Sequence, residues 1–176
     1  VRMLSMVLIG LGSNQGDSTD TVVAAIEALQ AFALPSTLKS ARLLRTSPVN
    51  CPPESGDFIN CAVVFEPKAG LTPEALLSAL KAIEHDFGRR EKYVRNAPRE
   101  LDLDLLLFHD EVRSSKEFTL PHPRAIDRLF VLQPACELIP NTQWPGTGQT
   151  IQQLLEQLET DEQVHILEEM PPYYCA

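Results

Sequence analysis

Asp102 and Asp104 stand two residues apart in the apolar run Leu101 to Phe108. On a strand that spacing turns both carboxylates to one face, with Cα atoms roughly 6 to 7 Å apart. Two carboxylates so placed suit bridging or paired magnesium ions, which prefer hard oxygen ligands. Immediately upstream, Arg89, Arg90, Lys92, Arg95 and Arg99 face a single acid, Glu91. Cations beside a metal site suit a polyphosphate, because phosphoryl or pyrophosphoryl transfer is chiefly positioning and charge neutralisation and needs no side-chain nucleophile. Each feature also has a plainer reading, the aspartates as a strand face shown to water and the basic run as a solvated loop. Gly88 and the break at Ala97-Pro98 favour a loop able to close over a ligand.

Further chemistry sits on both sides of this stretch. Pro121-His122-Pro123-Arg124 precedes Arg128, and a helix begun at Arg124 would bring His122 and two guanidiniums to one helix start, where phosphate contact is plausible. Phe58, Asn60 and Phe130 offer two aromatic faces and an amide for a flat heteroaromatic ligand, although phenylalanines are more often core residues. No G-x-x-x-x-G-K-[ST] occurs, which excludes a P-loop, and Gly10-Leu11-Gly12 lacks the third glycine of a dinucleotide fingerprint. The turn at Gly12 instead lets a planar ligand come close to backbone.

The elements that must hold these residues are legible from periodicity. Met6 to Leu11 reads as a buried strand, followed by a helix on Val22, Ala25, Ile26, Leu29 and Phe32, capped from Asp17, Ser18 or Thr19 and closed by Pro35. Ser40 to Thr46 is a second extended run, and the prolines of Ser47 to Gly56 make a loop facing the ligand. Phe58 to Glu66 alternates, with Phe58, Asn60, Ala62 and Val64 on one face. Thr72 and Pro73 open a second helix with the stripe Leu76, Leu77, Leu80, Ile83 and Phe87. In the strand Leu101 to Phe108, leucines 101, 103, 105 and 107 share the face opposite Asp102, Asp104 and Leu106. A third helix is expected over Arg124 to Leu132 and a fourth around Ile151 to Leu158. The order β-α-β-β-α-β predicts an α+β fold, a ferredoxin-like βαββαβ core with an antiparallel sheet and helices added at the C-terminal side.

The chain has 176 residues, 44% hydrophobic and 22% charged, which suits one domain over residues 1–176 with a core of about 5–160 and a tail at 170–176. A net charge of -9 disfavours nucleic acid and anionic membrane as partners, so an anionic ligand needs a local basic cluster. Cys51, Cys61, Cys136 and Cys175 show no C-x-x-C pairing, Val1 to Met6 does not read as a secretory leader, and no run of about 18 apolar residues occurs in these 176 residues. A reduced, cytoplasmic monomer is expected.

Gly10-Leu11-Gly12-Ser13-Asn14, Arg95-Asn96-Ala97-Pro98-Arg99-Glu100-Leu101-Asp102-Leu103-Asp104 and Pro121-His122-Pro123-Arg124 together resemble the signatures of the 6-hydroxymethyl-7,8-dihydropterin pyrophosphokinase family, in order, over about Val7 to Pro140. The resemblance implies transfer of pyrophosphate from ATP to the hydroxymethyl group of the reduced pterin, with release of AMP, during folate synthesis. It implies two magnesium ions on Asp102 and Asp104, and Arg89 and Arg99 on the phosphates, these four being the catalytic group. By the same resemblance ATP meets Lys81, Glu84, Thr119, His122 and Arg128 as well as Arg89 and Arg99. The pterin pocket would be lined by Gly12, Thr46, Ser47, Val49, Phe58, Asn60, Asp102 and Phe130. Asn96, Ala97 and Glu91 depart from the Trp, Gly and Arg frequent in the family. Two other classes remain open on the residues alone: a magnesium-dependent phosphoesterase, and a ferredoxin-like binding module without turnover.

Overall fold

The computed structural model describes residues 6–14, 18–46, 57–88 and 101–167. The expected helix cap at Asp17, the loop Ser47 to Gly56, the basic run Arg89 to Arg99, Cys51, Cys175 and the tail lie outside the described residues.

In chain order the elements are β1 (Val7–Ser13), α1 (Ser18–Leu29), β2 (Lys39–Ser40), β3 (Leu44–Thr46), β4 (Phe58–Phe65), α2 (Pro73–Gly88), β5 (Asp102–Phe108), β6 (Arg113–Ser114), β7 (Thr119–Leu120), α3 (Leu129–Leu138), α4 (Ile151–Gln157) and β8 (Val164–Ile166). The main sheet runs β5-β1-β4-β3-β8, with β2 also on β4, and each of its pairings is antiparallel. Strands β6 and β7 form a separate hairpin, tied to the start of α2 where Arg113 Nε meets Glu74 Oε1 at 2.7 Å. Among the described residues no helix is long and apolar enough to cross a membrane.

The strict alternation of β1 and β4 gives the sheet two apolar faces. Val7, Ile9 and Leu11 join Ile59, Cys61, Val63 and Phe65 on one face, covered by Val22 and Ile26 of α1 and by Leu76 and Leu80 of α2. Leu8, Ala62 and Val64 face the other way, where Leu132 and Ala135 of α3 and Ile151 and Leu154 of α4 pack around Trp144. Thr72 caps α2 by accepting the Ala75 N–H at 3.1 Å, as its Thr-Pro start implies.

Four details differ from the periodicity. Gly12, expected in a turn, lies within β1, which runs on to Ser13 because Asn60 and Ile59 of β4 and Asp102 of β5 continue the ladder there. The extended run from Ser40 splits into β2 and β3, because the Arg42 N–H and Nε both donate to Glu137 Oε1, at 3.2 and 3.1 Å, and leave the ladder there. In β5 the register against β1 slips, Leu8 facing Leu107 and Ile9 facing Leu105. That bulge places Leu107 beside Leu106 in the α3 side core and sends Phe108 to the α1 side, so the leucine face ends at Leu105. The third helix begins at Leu129, preceded by a 3-10 turn over Ala125–Asp127, and continues to Leu138 through Pro134. Arg128 at its start is extended (φ -122°, ψ 122°), so Arg124 and Arg128 open two successive elements rather than one turn of a single helix.

Candidate functional site

The α3 and α4 layer covers only part of its sheet face, and the uncovered part carries the polar residues. In the middle strand Gly12 lies between Asp102 of β5 and Asn60 of β4, and Gly10 lies between Asp104 and Ala62. Two rows thus cross three strands, each with a glycine at its centre. A Cβ on Gly12 would come within 2.9 Å of Asn60 Oδ1, and one on Gly10 within 3.3 Å of Leu106 Cδ1. The missing side chains hollow the sheet surface into the floor of a cavity of about 410 Å³.

The walls are built from neighbouring elements. Phe58 and Thr46 rise from β4 and β3 on one side, while Arg128, Phe130 and Val131 come from the first turn of α3 on another. The Arg128 guanidinium carbon lies 5.6 Å from the centroid of the Phe130 ring, within range of a cation–π contact. Asn60 is 7% exposed and its Nδ2 donates to Thr46 Oγ1 at 2.8 Å. With both groups buried, that bond orients the amide and leaves Oδ1 over Gly12.

Asp102 is half-buried and Asp104 exposed at the β5 edge of the floor. They supply two hard carboxylate donors, and no cluster of three or more metal-ligating side chains occurs among the described residues. A magnesium ion held by two carboxylates leaves its remaining octahedral positions to water and substrate phosphate, whereas a structural zinc site needs a closed set of four. The donor set therefore fits magnesium bound together with an anionic ligand.

The other expected residues that the structure describes are not part of this cavity's lining. Lys81 and Glu84 share a face of α2 as their spacing requires, Nζ and Oε1 being 3.4 Å apart. Glu84 is 3% exposed and sits under the opposite side of β5, where it also accepts the Leu103 N–H. Burial and then the charge of Asp102 push its carboxyl above the usual range, against the attraction of Lys81. His122 donates its N–H to the Leu106 carbonyl at 3.1 Å and accepts the Arg124 N–H on Nδ1 at 3.3 Å. Burial holds its imidazole below the usual value, with Arg128 and Arg124 adding to the effect and Asp104 opposing it. Thr119 is exposed on β7, opposite Ser114. Arg89, Arg99, Ser47 and Val49 lie outside the described residues.

Gly10, Leu106 and Val131 also line the cavity, as do Glu162, Gln163 and Val164, none of which the sequence analysis names as a site residue. Gly10 carried a signal, since its spacing from Gly12 puts both on one face of β1. The last three did not, because a strand of three residues shows no periodicity.

A family model described as 7,8-dihydro-6-hydroxymethylpterin-pyrophosphokinase (HPPK) matches residues 8–140. The 2-amino-4-hydroxy-6-hydroxymethyldihydropteridine pyrophosphokinase of Aquifex aeolicus is 34% identical over 81% of this chain and 85% of its own length. The protein of the same name from Bacillus subtilis is 36% identical over 83% of this chain and 85% of its own. Among solved structures, the wild-type HPPK-DHPS of Plasmodium falciparum with SDX-DHP superposes with a TM-score of 0.68 at 14% identity, a likeness of fold. It covers 86% of this chain, which spans 44% of that longer one. The chain belongs to the 7,8-dihydro-6-hydroxymethylpterin-pyrophosphokinase family, a family of enzymes.

Proposed function

We propose that this chain transfers pyrophosphate from ATP to 6-hydroxymethyl-7,8-dihydropterin, with magnesium at Asp102 and Asp104, as a step of folate biosynthesis. The observation that carries the reading is the row Asp102–Gly12–Asn60, which aligns a metal-type carboxylate, an open backbone floor and an oriented amide on one surface. Family membership supports the same chemistry. So does the strand order β5-β1-β4-β3, the arrangement expected of a ferredoxin-like core with β2 and β3 as one interrupted strand.

In this reading the pterin ring lies on Gly12 between Phe58 and Phe130. One Asn60 N–H goes to Thr46, which turns the carbonyl oxygen over Gly12 to accept an N–H from the ring and leaves the second N–H of the amide to donate. Thr46, Ser47 and Val49 complete that side. The hydroxymethyl oxygen then points toward Asp102 and attacks the β-phosphorus of ATP, forming the new P–O bond as the bond to the α-phosphate oxygen breaks and AMP leaves. Magnesium, when bound, offsets phosphate charge and aligns the two oxygens.

The charge balance supports the assignment of the remaining residues. Asp102, Asp104 and Glu162 oppose only Arg128 among the charged described residues of the cavity lining. A polyphosphate needs more positive charge than that, and Arg89 and Arg99 are proposed to bring it alongside the metal ions. Lys81, Glu84, Thr119, His122 and Arg128 are proposed to meet the rest of ATP.

The test is AMP release from ATP and magnesium with and without the reduced pterin. AMP formed only with pterin is the expected result. Phosphate released without pterin would favour a phosphoesterase, and tight binding of both ligands without product would favour a binding module.

A further inference from the structure

We infer that Glu162 is a positioning residue for the planar substrate, acting through the first turn of α3; this rests on the pterin reading above. The residue lies beyond the stretch 8–140 matched by the family model, yet it lines the cavity together with Gln163 and Val164.

A helix leaves its first N–H groups without intrahelical partners, and an acidic group is favoured there by the helix dipole. At the start of α3, Arg128 makes no side-chain cap. The Leu129 N–H instead donates to Glu162 Oε2 at 2.8 Å, a bond that spans 33 positions of sequence. Glu162 is itself fixed, its N–H donating to Thr160 Oγ1 at 3.1 Å. Two residues on, β8 pairs with β3, Val164 facing Thr46. Thr46 is the residue that orients Asn60.

The C-terminal segment therefore touches both recognition elements. Through β8 it borders Thr46, and through Glu162 it pins the turn that carries Arg128 and Phe130. Further along α3, Leu132, Pro134 and Ala135 are buried in the core and hold the helix without Glu162. Loss of the carboxylate loosens one turn and the aromatic wall it carries, and leaves the fold in place. Arg128 moves with that turn, but it is one of several groups proposed to meet ATP, whereas Phe130 and Phe58 are the two aromatic faces among the described residues of the lining.

The experiment is calorimetric binding of 6-hydroxymethylpterin, in the presence of magnesium and a non-hydrolysable ATP analogue, to wild type, Glu162→Ala and Glu162→Gln, with the analogue's own affinity and Tm recorded. For Glu162→Ala the pterin Kd should rise about tenfold, because binding must then order the turn that the Leu129–Glu162 bond holds in place in the wild type. The analogue Kd should change by less than about threefold, while Tm should fall by roughly 3 to 6 °C, as the loss of one charge-assisted capping bond implies. Glutamine, which retains an acceptor oxygen, should restore most of the pterin affinity. An unchanged pterin Kd in Glu162→Ala overturns the inference, as does a parallel loss of both ligands with a large fall in Tm, or failure of glutamine to rescue. Wild type that binds no pterin would instead overturn the pterin reading, and this inference with it.

Discussion

Replacing Gly12 by alanine separates the cost to the fold from the cost to recognition. The new Cβ would sit 2.9 Å from Asn60 Oδ1, so the amide must withdraw by about 0.5 Å to reach ordinary contact at 3.4 Å. Asn60 has little room to do so, being 7% exposed and bonded to the equally buried Thr46. Weakening that bond costs about 1 to 2 kcal/mol, partly offset by the ~0.4 to 1 kcal/mol that alanine gains over glycine through the unfolded chain. Stability should therefore fall by about 1 kcal/mol, or roughly 2 to 4 °C in Tm. Binding loses more, because a methyl group stands on the floor where the ring lies and the amide acceptor has moved. Together these cost about 2 to 4 kcal/mol, a rise of roughly 30- to 700-fold in pterin Kd. Isothermal titration measures the affinity and a melting curve the stability. In a double-mutant cycle with Asn60→Ala the two changes should couple by about 1 kcal/mol or more, because the alanine no longer meets the amide. Wild-type pterin affinity in Gly12→Ala, with Tm also unchanged, would refute this account of the floor.

Other elements give predictions of their own. Because the folded pKa of Glu84 is raised, its contribution to stability is full below the unfolded value near 4.5 and is lost as pH rises through the folded value. Glu84→Gln should thus raise Tm at pH 7 to 8, and the advantage should vanish toward pH 4; a mutant less stable at pH 8 than at pH 4, relative to wild type, would contradict this. The Cys61 thiol is buried, donates to the Ala41 carbonyl at 3.2 Å, and is pushed up to about 12, chiefly by burial. At pH 8 only about one in 10⁴ would be thiolate, so peptide mapping after alkylation should find Cys61 unlabelled until the protein unfolds. Rapid native labelling at Cys61 would show that the α1 side of the sheet opens readily.

How far the sequence revealed the site depended on the length scale of each signal. Alternation along β4 placed Phe58 and Asn60 on one face, and the structure keeps them there, because eight residues of strict period two leave no choice of face. The same rule misplaced Leu107, since a one-residue bulge reverses alternation without leaving a mark in composition. The periodicity from Arg124 predicts too early a start for α3, because the pattern is shared between a 3-10 turn and a helix, and only the extended backbone of Arg128 divides them. Thr46 could be named as a pocket residue, but its bond to Asn60 joins two strands and is invisible in one dimension. Glu162 caps a helix 33 residues away, so no local pattern could have announced it.

The central claim is tested most directly by pterin-dependent AMP formation across a magnesium titration for wild type, Asp102→Ala and Asp104→Ala. Both variants should keep a wild-type circular dichroism spectrum, since the two carboxylates lie at the cavity surface rather than in either core. Each should lose roughly 10²- to 10³-fold in turnover, the order expected when electrostatic stabilisation of a transferring phosphate is removed. Near-wild-type AMP formation by the doubly substituted protein would contradict the assignment of metal binding and catalysis to this pair.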